Sequence, residues 1–257
     1  MDIRELDSWM RSVLAIDDFA RIDSSANGVQ VSHRVESLTK IAFAVDASLE
    51  TFQRCADIGA QALVVHHGLF WGREQVLTGY HYDRVRFLLE NDIALYAAHL
   101  PLDAHQELGN NYGIADSLGL ENLAPFGYYK GKYIGVQGEL PEPVELYEVQ
   151  QRLFGHDGNI IRSLPFGKPA VKSVAVVSGG GVHDVDEAIE KGLDLYITGD
   201  AAHTIYHRCL ESGINVIFAG HYLTEVWGVK LLMERFLAEP GAEHSVAAEF
   251  IDVPTGL

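Results

Sequence analysis

The chain is poor in cysteine, in basic residues and in long apolar runs, and each shortage excludes something. Its two cysteines, Cys55 and Cys209, in 257 residues cannot build a disulfide framework. That excludes the small stapled secreted class and points to a reducing, cytoplasmic compartment. No apolar run approaches the roughly 18 residues needed to cross a bilayer, so no membrane helix is expected. The opening segment Met1-Asp2-Ile3-Arg4-Glu5-Leu6-Asp7 has no apolar stretch of the kind a secretory signal needs. Only 19 Lys+Arg stand against 36 Asp+Glu, a formal net charge of −17. A field of that sign repels a phosphate backbone unless a basic stripe overcomes it, and none is visible. The nearest candidate, Tyr128-Tyr129-Lys130-Gly131-Lys132-Tyr133, reads as a solvated strand edge rather than a nucleic-acid site. A cation suits this chain better. There is no Ser-centred nucleophile elbow, and both cysteines read as helix-core thiols.

What is present is an alternation of short apolar runs with helix-period segments, the pattern of an α/β protein. An apolar share of 47% and a charged share of 21% exclude a disordered chain. The periodicity predicts helices over 3–16, 48–59, 82–91, 144–154, 184–191, 201–211 and 225–238. It predicts strands over 41–45, 62–65, 93–98, 173–177, 195–198 and 215–219. The strand runs are apolar on both faces, as expected of strands covered by helices on each side. Gly59, Gly192 and Gly213 stand where helices should end. Five of the eight prolines fall from Pro125 to Pro169, with a β-like run at 133–140, and this shift marks the start of a second domain. The segments 40–68 and 172–200 share one order: Lys, apolar strand, small-residue turn, helix, Gly, apolar strand. Either any two βα units look alike, or the chain holds two α/β halves of one plan. The 225–238 helix, with Trp227, Val229, Leu231, Leu232 and Phe236, carries more apolar residues than one buried face needs.

Three predicted strands run into histidine: one into His66-His67-Gly68, one into His99-Leu100-Pro101-Leu102-Asp103, one into His221-Tyr222-Leu223-Thr224-Glu225. In α/β sheets ligands collect at the carboxyl ends of strands, so residues far apart in sequence can meet there. Imidazoles and carboxylates are the usual donors for zinc, iron, manganese or nickel. His221 and Glu225 are four apart, as are His99 and Asp103, a spacing that lets two side chains share an ion at a helix start. Taken singly, Asp103 also fits a helix cap and Glu225 a favourable first-turn acid. Taken together, five or six such ligands exceed what one tetrahedral ion uses and suit two ions roughly 3.5–4 Å apart. Ser178-Gly179-Gly180-Gly181 follows a strand and reads as a tight turn, without the spacing of a nucleotide-binding fingerprint. Thr198-Gly199-Asp200-Ala201-Ala202-His203 also closes a strand, which puts His203 near the same crevice.

These stretches resemble the NIF-three-like proteins, also called the YbgI type or GTP cyclohydrolase type 2 homologues. The matching residues are His66-His67-Gly68, Ala98-His99-Leu100-Pro101-Leu102-Asp103-Ala104 with Gly109-Asn110-Asn111, Gly179-Gly180-Gly181, Tyr196-Ile197-Thr198-Gly199-Asp200, and Gly220-His221-Tyr222-Leu223-Thr224-Glu225. Asn27-Gly28-Val29-Gln30-Val31 matches less closely, and the chain departs from the family pattern at Asp200, often Glu, and at Gly68, often Pro. The resemblance implies two interleaved α/β domains of similar plan, a dinuclear metal site in the cleft between them, and a homohexameric ring. It implies His66, His67, Asp103, His221 and Glu225 as ligands of two divalent ions, with shared carboxylates and His99 beside the site. On this reading residues 1–125 and 217–257 form a metal-binding α/β domain and residues 126–216 a second one. The activity expected is metal-dependent hydrolysis of a nucleotide-like or other small phosphorylated substrate, including opening of the guanine ring of GTP, with His99 or His203 moving protons. The rival is a non-catalytic metal-handling or scaffolding protein. The surplus of titratable groups around an open site favours the enzyme, because a structural ion calls for a closed ligand set.

Overall fold

The computed structural model describes residues 1–73, 75–155 and 160–257. Among these the strands are β1 (Gly28–Val31), β2 (Lys40–Asp46), β3 (Ala62–His67), β4 (Ala94–Ala97), β5 (Glu121–Tyr129), β6 (Lys132–Glu145), β7 (Arg162–Pro165), β8 (Ala170–Val177), β9 (Leu195–Thr198), β10 (Asn215–Phe218) and β11 (Ala247–Phe250). The helices are α1 (Ile3–Leu14), α2 (Leu49–Asp57), α3 (Gly79–Glu90), α4 (Leu100–Asp103), α5 (Asn110–Ser117), α6 (Leu146–Phe154), α7 (Val185–Glu190), α8 (Tyr206–Ser212), α9 (His221–Ala238) and α10 (Pro240–His244). They form a mixed α/β fold with two sheets. The chain divides into two compact units, Met1–Leu102 with Val229–Val253, and Asp103–Gly228 with Pro254–Leu257.

In the first unit the sheet order is β1-β4-β3-β2-β11. β11, β2, β3 and β4 are parallel, and β1 closes one edge antiparallel to β4. Parallel strands need crossover helices on their faces, and Ile41 to Val45 and Ala62 to Val65 are accordingly buried on both sides. α1 starts on a capping box: Arg4 and Glu5 amides donate to Asp2 Oδ1 at 2.7 and 2.9 Å, and the Asp2 amide donates to Glu5 Oε2 at 2.6 Å. Its Leu6, Met10 and Leu14, four apart, point inward. Within this unit Val229, Leu232 and Phe236 of α9 are buried, with Phe236 packed 5.8 Å from the Phe43 ring. The apolar surplus that the sequence suggests for this helix is therefore largely consumed by the chain's own core.

The second unit's sheet runs β5-β6-β8-β9-β10-β7. β8, β9 and β10 are parallel, flanked by the antiparallel β5–β6 hairpin on one side and by β7 on the other. Alternation along β8 sends Val174 and Val176 into a core with α5 and α6, and Ala175 and Val177 into one with α7 and α8. β2–α2–β3 and β8–α7–β9 are equivalent parallel units: Ala42 pairs with Leu63, and Val174 pairs with Leu195, at the same offset along the chain.

Several elements differ from the periodicity. β1, β7 and β11 are edge strands of four residues, too short and too half-exposed to leave an apolar run. α8 begins at Tyr206, after a 3-10 turn over His203–Ile205. α9 begins at His221, because Gly220 turns with φ +104° and Thr224 Oγ1 donates back to the Gly220 carbonyl at 3.0 Å. Both cysteines are fully buried, and burial pushes the Cys55 thiol up to about 12 and the Cys209 thiol up to about 11. A thiol held protonated is a poor nucleophile. Iodoacetamide at pH 8 is expected to leave the mass of the native protein unchanged and to add two adducts once denaturant is present. An adduct on the native chain would contradict this packing.

Candidate metal centre

In the first unit three imidazoles gather at the carboxyl ends of β3 and β4. His66 and His67 close β3, and His99 stands one residue past Ala98, beyond the end of β4. The ring centroids are 4.6 Å apart for His66–His67, 5.0 Å for His66–His99 and 5.8 Å for His67–His99. One ring nitrogen from each lies within 4.8 Å of the others. His66 is fully buried, and the side chains of His67 and His99 keep about a fifth of their surface exposed, at 20% and 21%.

Every one of these rings is held through Nδ1. His66 Nδ1 meets the Ala98 carbonyl at 3.0 Å, His67 Nδ1 meets Asp46 Oδ1 at 2.8 Å, and His99 Nδ1 meets Asp23 Oδ1 at 2.9 Å. An oxygen acceptor at Nδ1 assigns the proton to that nitrogen and the lone pair to Nε2, which is how a metal-binding imidazole is prepared. Asp46 reaches His67 because β2 and β3 pair in register at those two residues. The Asp23 side chain is buried to 1% exposure. Burial raises its pKa, but hydrogen bonds to His99 and Asn27 outweigh this and leave it below the usual carboxylate value. Asn27 also fixes the backbone, accepting from the His99 amide at 2.9 Å. The Trp71 ring stands edge-on to His99 at 5.0 Å and is pinned by its indole N–H to the Gly68 carbonyl at 3.0 Å.

In the second unit the donors are two carboxylates and one imidazole. Asp103, at the end of α4, is 4% exposed, and its Oδ1 accepts from Asn110 Nδ2 at 2.8 Å and Ser178 Oγ at 3.1 Å. Glu225, 3% exposed on the opening turns of α9, has Oε1 3.2 Å from His221 Nε2. His221 Nδ1 meets Asp200 Oδ1 at 2.9 Å. Burial disfavours the charged form of His221, but its hydrogen bonds and charge attraction to Glu225 and Asp200 win, and its pKa rises to about 9. Gly179 makes the arrangement possible. Its φ is +57°, and a Cβ there would overlap Glu225 Oε1 and come within 3.0 Å of His221 Nε2. Gly228 does the same for Asn110, whose Oδ1 accepts the Gly228 amide at 2.7 Å.

The chemistry of these donors fits divalent ions: imidazoles tethered through Nδ1 in one unit, buried carboxylates and an oriented imidazole in the other. His66, His67 and His99 come together in the first unit, as do His221 and Glu225 in the second. His203 belongs to no ligand group among the described residues; it is exposed and lines a separate cleft with Arg162 and Tyr206. Sequence reasoning misses Asp23 and Asp46 and does not see that Asp200 holds His221. For Asp46 a signal exists, since an acid closes the buried strand Ile41 to Val45. Asp23 sits in a segment without periodicity, and nothing local marks it.

The fold and its donor clusters define an α/β protein with candidate metal ligands at strand ends. The sequence profile of the Duf34/NIF3 (NGG1p interacting factor 3) family matches residues 1–255, and the chain belongs to that family. It is 44% identical over 253 residues to a protein of Deinococcus radiodurans named GTP cyclohydrolase 1 type 2 homolog, covering 98% of this chain and 94% of that one. Among solved structures, the protein ybgI, described as of unknown function, superposes with a TM-score of 0.89 at 33% identity and full coverage of both chains, 100% each. The protein TTHA1606 from Thermus thermophilus superposes with a TM-score of 0.87 at 37% identity, again over 100% of both chains.

Gly179 offers a test of the second cluster. Gly179→Ala places a Cβ in left-handed backbone, a cost of roughly 1–2 kcal/mol, and adds the overlap with Glu225. The variant is expected to fold and to lose a few degrees of thermal midpoint. Gly179→Ala combined with Glu225→Ala is expected to lose less than the sum of the two single changes, because the overlap vanishes with the carboxylate. Strict additivity would show that the close approach is not felt.

Proposed function

We propose that this protein is a metal-dependent hydrolase of a nucleotide-like or other small phosphorylated substrate. On this reading two divalent ions are held by His66, His67, Asp103, His221 and Glu225, with the carboxylates shared. The observation that carries the reading is the common Nδ1 tether on four separate imidazoles, His66, His67, His99 and His221. One such hydrogen bond is ordinary, but four of them fix Nε2 as the remaining ring nitrogen, the atom that would coordinate in His66, His67 and His221 and would move a proton in His99. The first unit offers imidazoles without a carboxylate among the grouped ligands, and the second offers two carboxylates and one imidazole. Ions held there would polarise the bond under attack and bring a water's pKa toward neutrality.

The chain's own residues supply the rest. Asp46, Asp200 and the Ala98 carbonyl orient the ligands, and Asn110 with Ser178 fix Asp103. His99, set by buried Asp23, is placed to move a proton at Nε2, and His203 is the second candidate for that role. The nucleotide class follows from the names carried by relatives such as the Deinococcus radiodurans protein. A homohexameric ring is part of the same reading and rests on the family pattern, while a cytoplasmic location rests on the scarcity of cysteine.

Elemental analysis of unsupplemented protein, followed by a hydrolysis screen of GTP and small phosphate esters with that metal restored, tests the proposal. Two ions per chain are expected. Asp103→Ala or Glu225→Ala should deplete both, since a bridging carboxylate serves two cations and offsets their repulsion, whereas His66→Ala or His67→Ala should chiefly deplete one. Folded carboxylate variants that keep two ions would sink the ligand assignment. Metal with no turnover of any substrate would favour the metal-handling alternative. Trp71 gives an optical readout, because its ring stands 5.0 Å from His99. Loading with nickel or cobalt is expected to quench part of the tryptophan emission, and Trp71→Phe to abolish that part while Trp9 and Trp227 emission persists.

A further inference from the structure

The second unit holds a cleft of about 390 Å³, lined by Ile161, Arg162, Leu164, His203, Tyr206 and Phe218 along with small residues and by none of the clustered ligands. Its position follows from the sheet. β7 pairs antiparallel with β10, with Arg162 opposite Phe218. Arg162 therefore lies at the carboxyl-terminal edge of the parallel strands β9 and β10, where ligands of α/β sheets collect. The chain leaves β9 through Asp200, which holds His221, and passes directly into the residues that line the cleft. On β10 it reaches His221 three residues after Phe218. The cleft thus borders, along the chain, on the imidazole of the candidate centre.

The lining has a definite chemistry. Ile161, Leu164 and Phe218 give it an apolar floor, and the Tyr206 ring, set edge-on to Phe166 at 5.2 Å, adds an aromatic wall. Arg162 makes no ion pair among the described residues. No carboxylate among the described residues lines the cleft, although the chain carries 36 acids against 19 bases. A guanidinium without an acidic partner among the described residues is suited to an anion brought from outside, which it binds in bidentate fashion. The volume is at the low end for small-molecule sites, which run from about 300 Å³ upward.

We propose that this cleft binds a small aromatic or heteroaromatic molecule carrying a phosphate, with the ring against Tyr206 and Phe218 and the phosphate on Arg162. It is the substrate subsite of the proposed hydrolase, and in that role it rests on that reading; the binding itself does not require the metal. The test is calorimetric titration of the full chain, metal-stripped and metal-loaded, with phenyl phosphate and with inorganic phosphate. Phenyl phosphate is expected to bind the stripped wild type, at least tenfold more tightly than inorganic phosphate and at least tenfold more tightly than it binds Arg162→Gln. In the wild type, saturation-transfer NMR should show the phenyl protons receiving magnetisation from the protein. Equal affinity in wild type and Arg162→Gln would overturn the proposal. So would phenyl phosphate binding no tighter than inorganic phosphate, which would mean a bare anion point. Binding that appears only with metal loaded would also overturn it, by moving the phosphate to the metal. Failure of the metal assignment leaves the titration of stripped protein unaffected, so the two failures are separable.

Discussion

Parallel strand pairing is the constraint on which the arrangement of functional groups depends. A parallel pair requires a crossover, so β2, β3 and β4 all run the same way and all end at one edge of their sheet. Asp46, His67 and His99 sit just at or beyond those ends and meet there, although more than fifty residues separate the first from the last. The same geometry in β8, β9 and β10 delivers Ser178, Asp200 and His221 to one edge. Nothing in the local sequence of any single strand could assemble either set. The apolar runs that hold the sheets together are therefore also what concentrates the polar chemistry.

Placing polar groups at buried strand ends is costly unless each is satisfied. This chain meets the cost with a second tier of hydrogen bonds. Asp23, Asp46 and Asp200 each hold one imidazole, and Asn110 and Ser178 hold Asp103. Asn111 extends the tier, accepting the Ser178 amide at 2.6 Å and donating to the Ile134 carbonyl at 3.0 Å. Such a network fixes side-chain direction more than it adds stability, because removing one member strands its partners. The rise of the His221 pKa to about 9 expresses the same design: the pocket of Glu225 and Asp200 favours positive charge at that point.

Legibility in the sequence follows length and burial. The strands at 41–45, 62–65, 173–177, 195–198 and 215–219 are readable because burial on two faces makes them nearly all apolar, as at Ala62-Leu63-Val64-Val65. β7, with Leu164 its lone buried residue, is not, since an edge strand needs only one inward side chain. The periodicity starts α9 late because His221 to Thr224 carry no apolar repeat; the helix is fixed there by Gly220 and Thr224. Among functional residues, the histidines are visible as strand-end punctuation. The residues that hold them are harder, because a carboxylate such as Asp23 reaches His99 across 76 positions. A short-range pattern does not record a tertiary hydrogen bond.

The two equivalent βαβ units show how one backbone plan can carry different chemistry. At the shared offset, His66 and His67 of β3 correspond to Thr198 and Gly199 at the end of β9, and Asp46 corresponds to Ser178. In the first unit the strand end projects imidazoles and a carboxylate to orient one of them. In the second, side chains give way to close backbone approach: a Cβ at Gly199 would stand 2.7 Å from the Gly179 carbonyl and 2.8 Å from His221 Cα. That proximity lets Gly179 donate its amide to Thr224 Oγ1 at 3.0 Å and brings the glycine turn against Glu225. The donors then come from the start of α9 instead of from the strand. A bulky side chain at 199 would push the helix start away and take His221 and Glu225 with it. The absence of a side chain at Gly199 is thus the structural condition for His221 and Glu225 to be where they are.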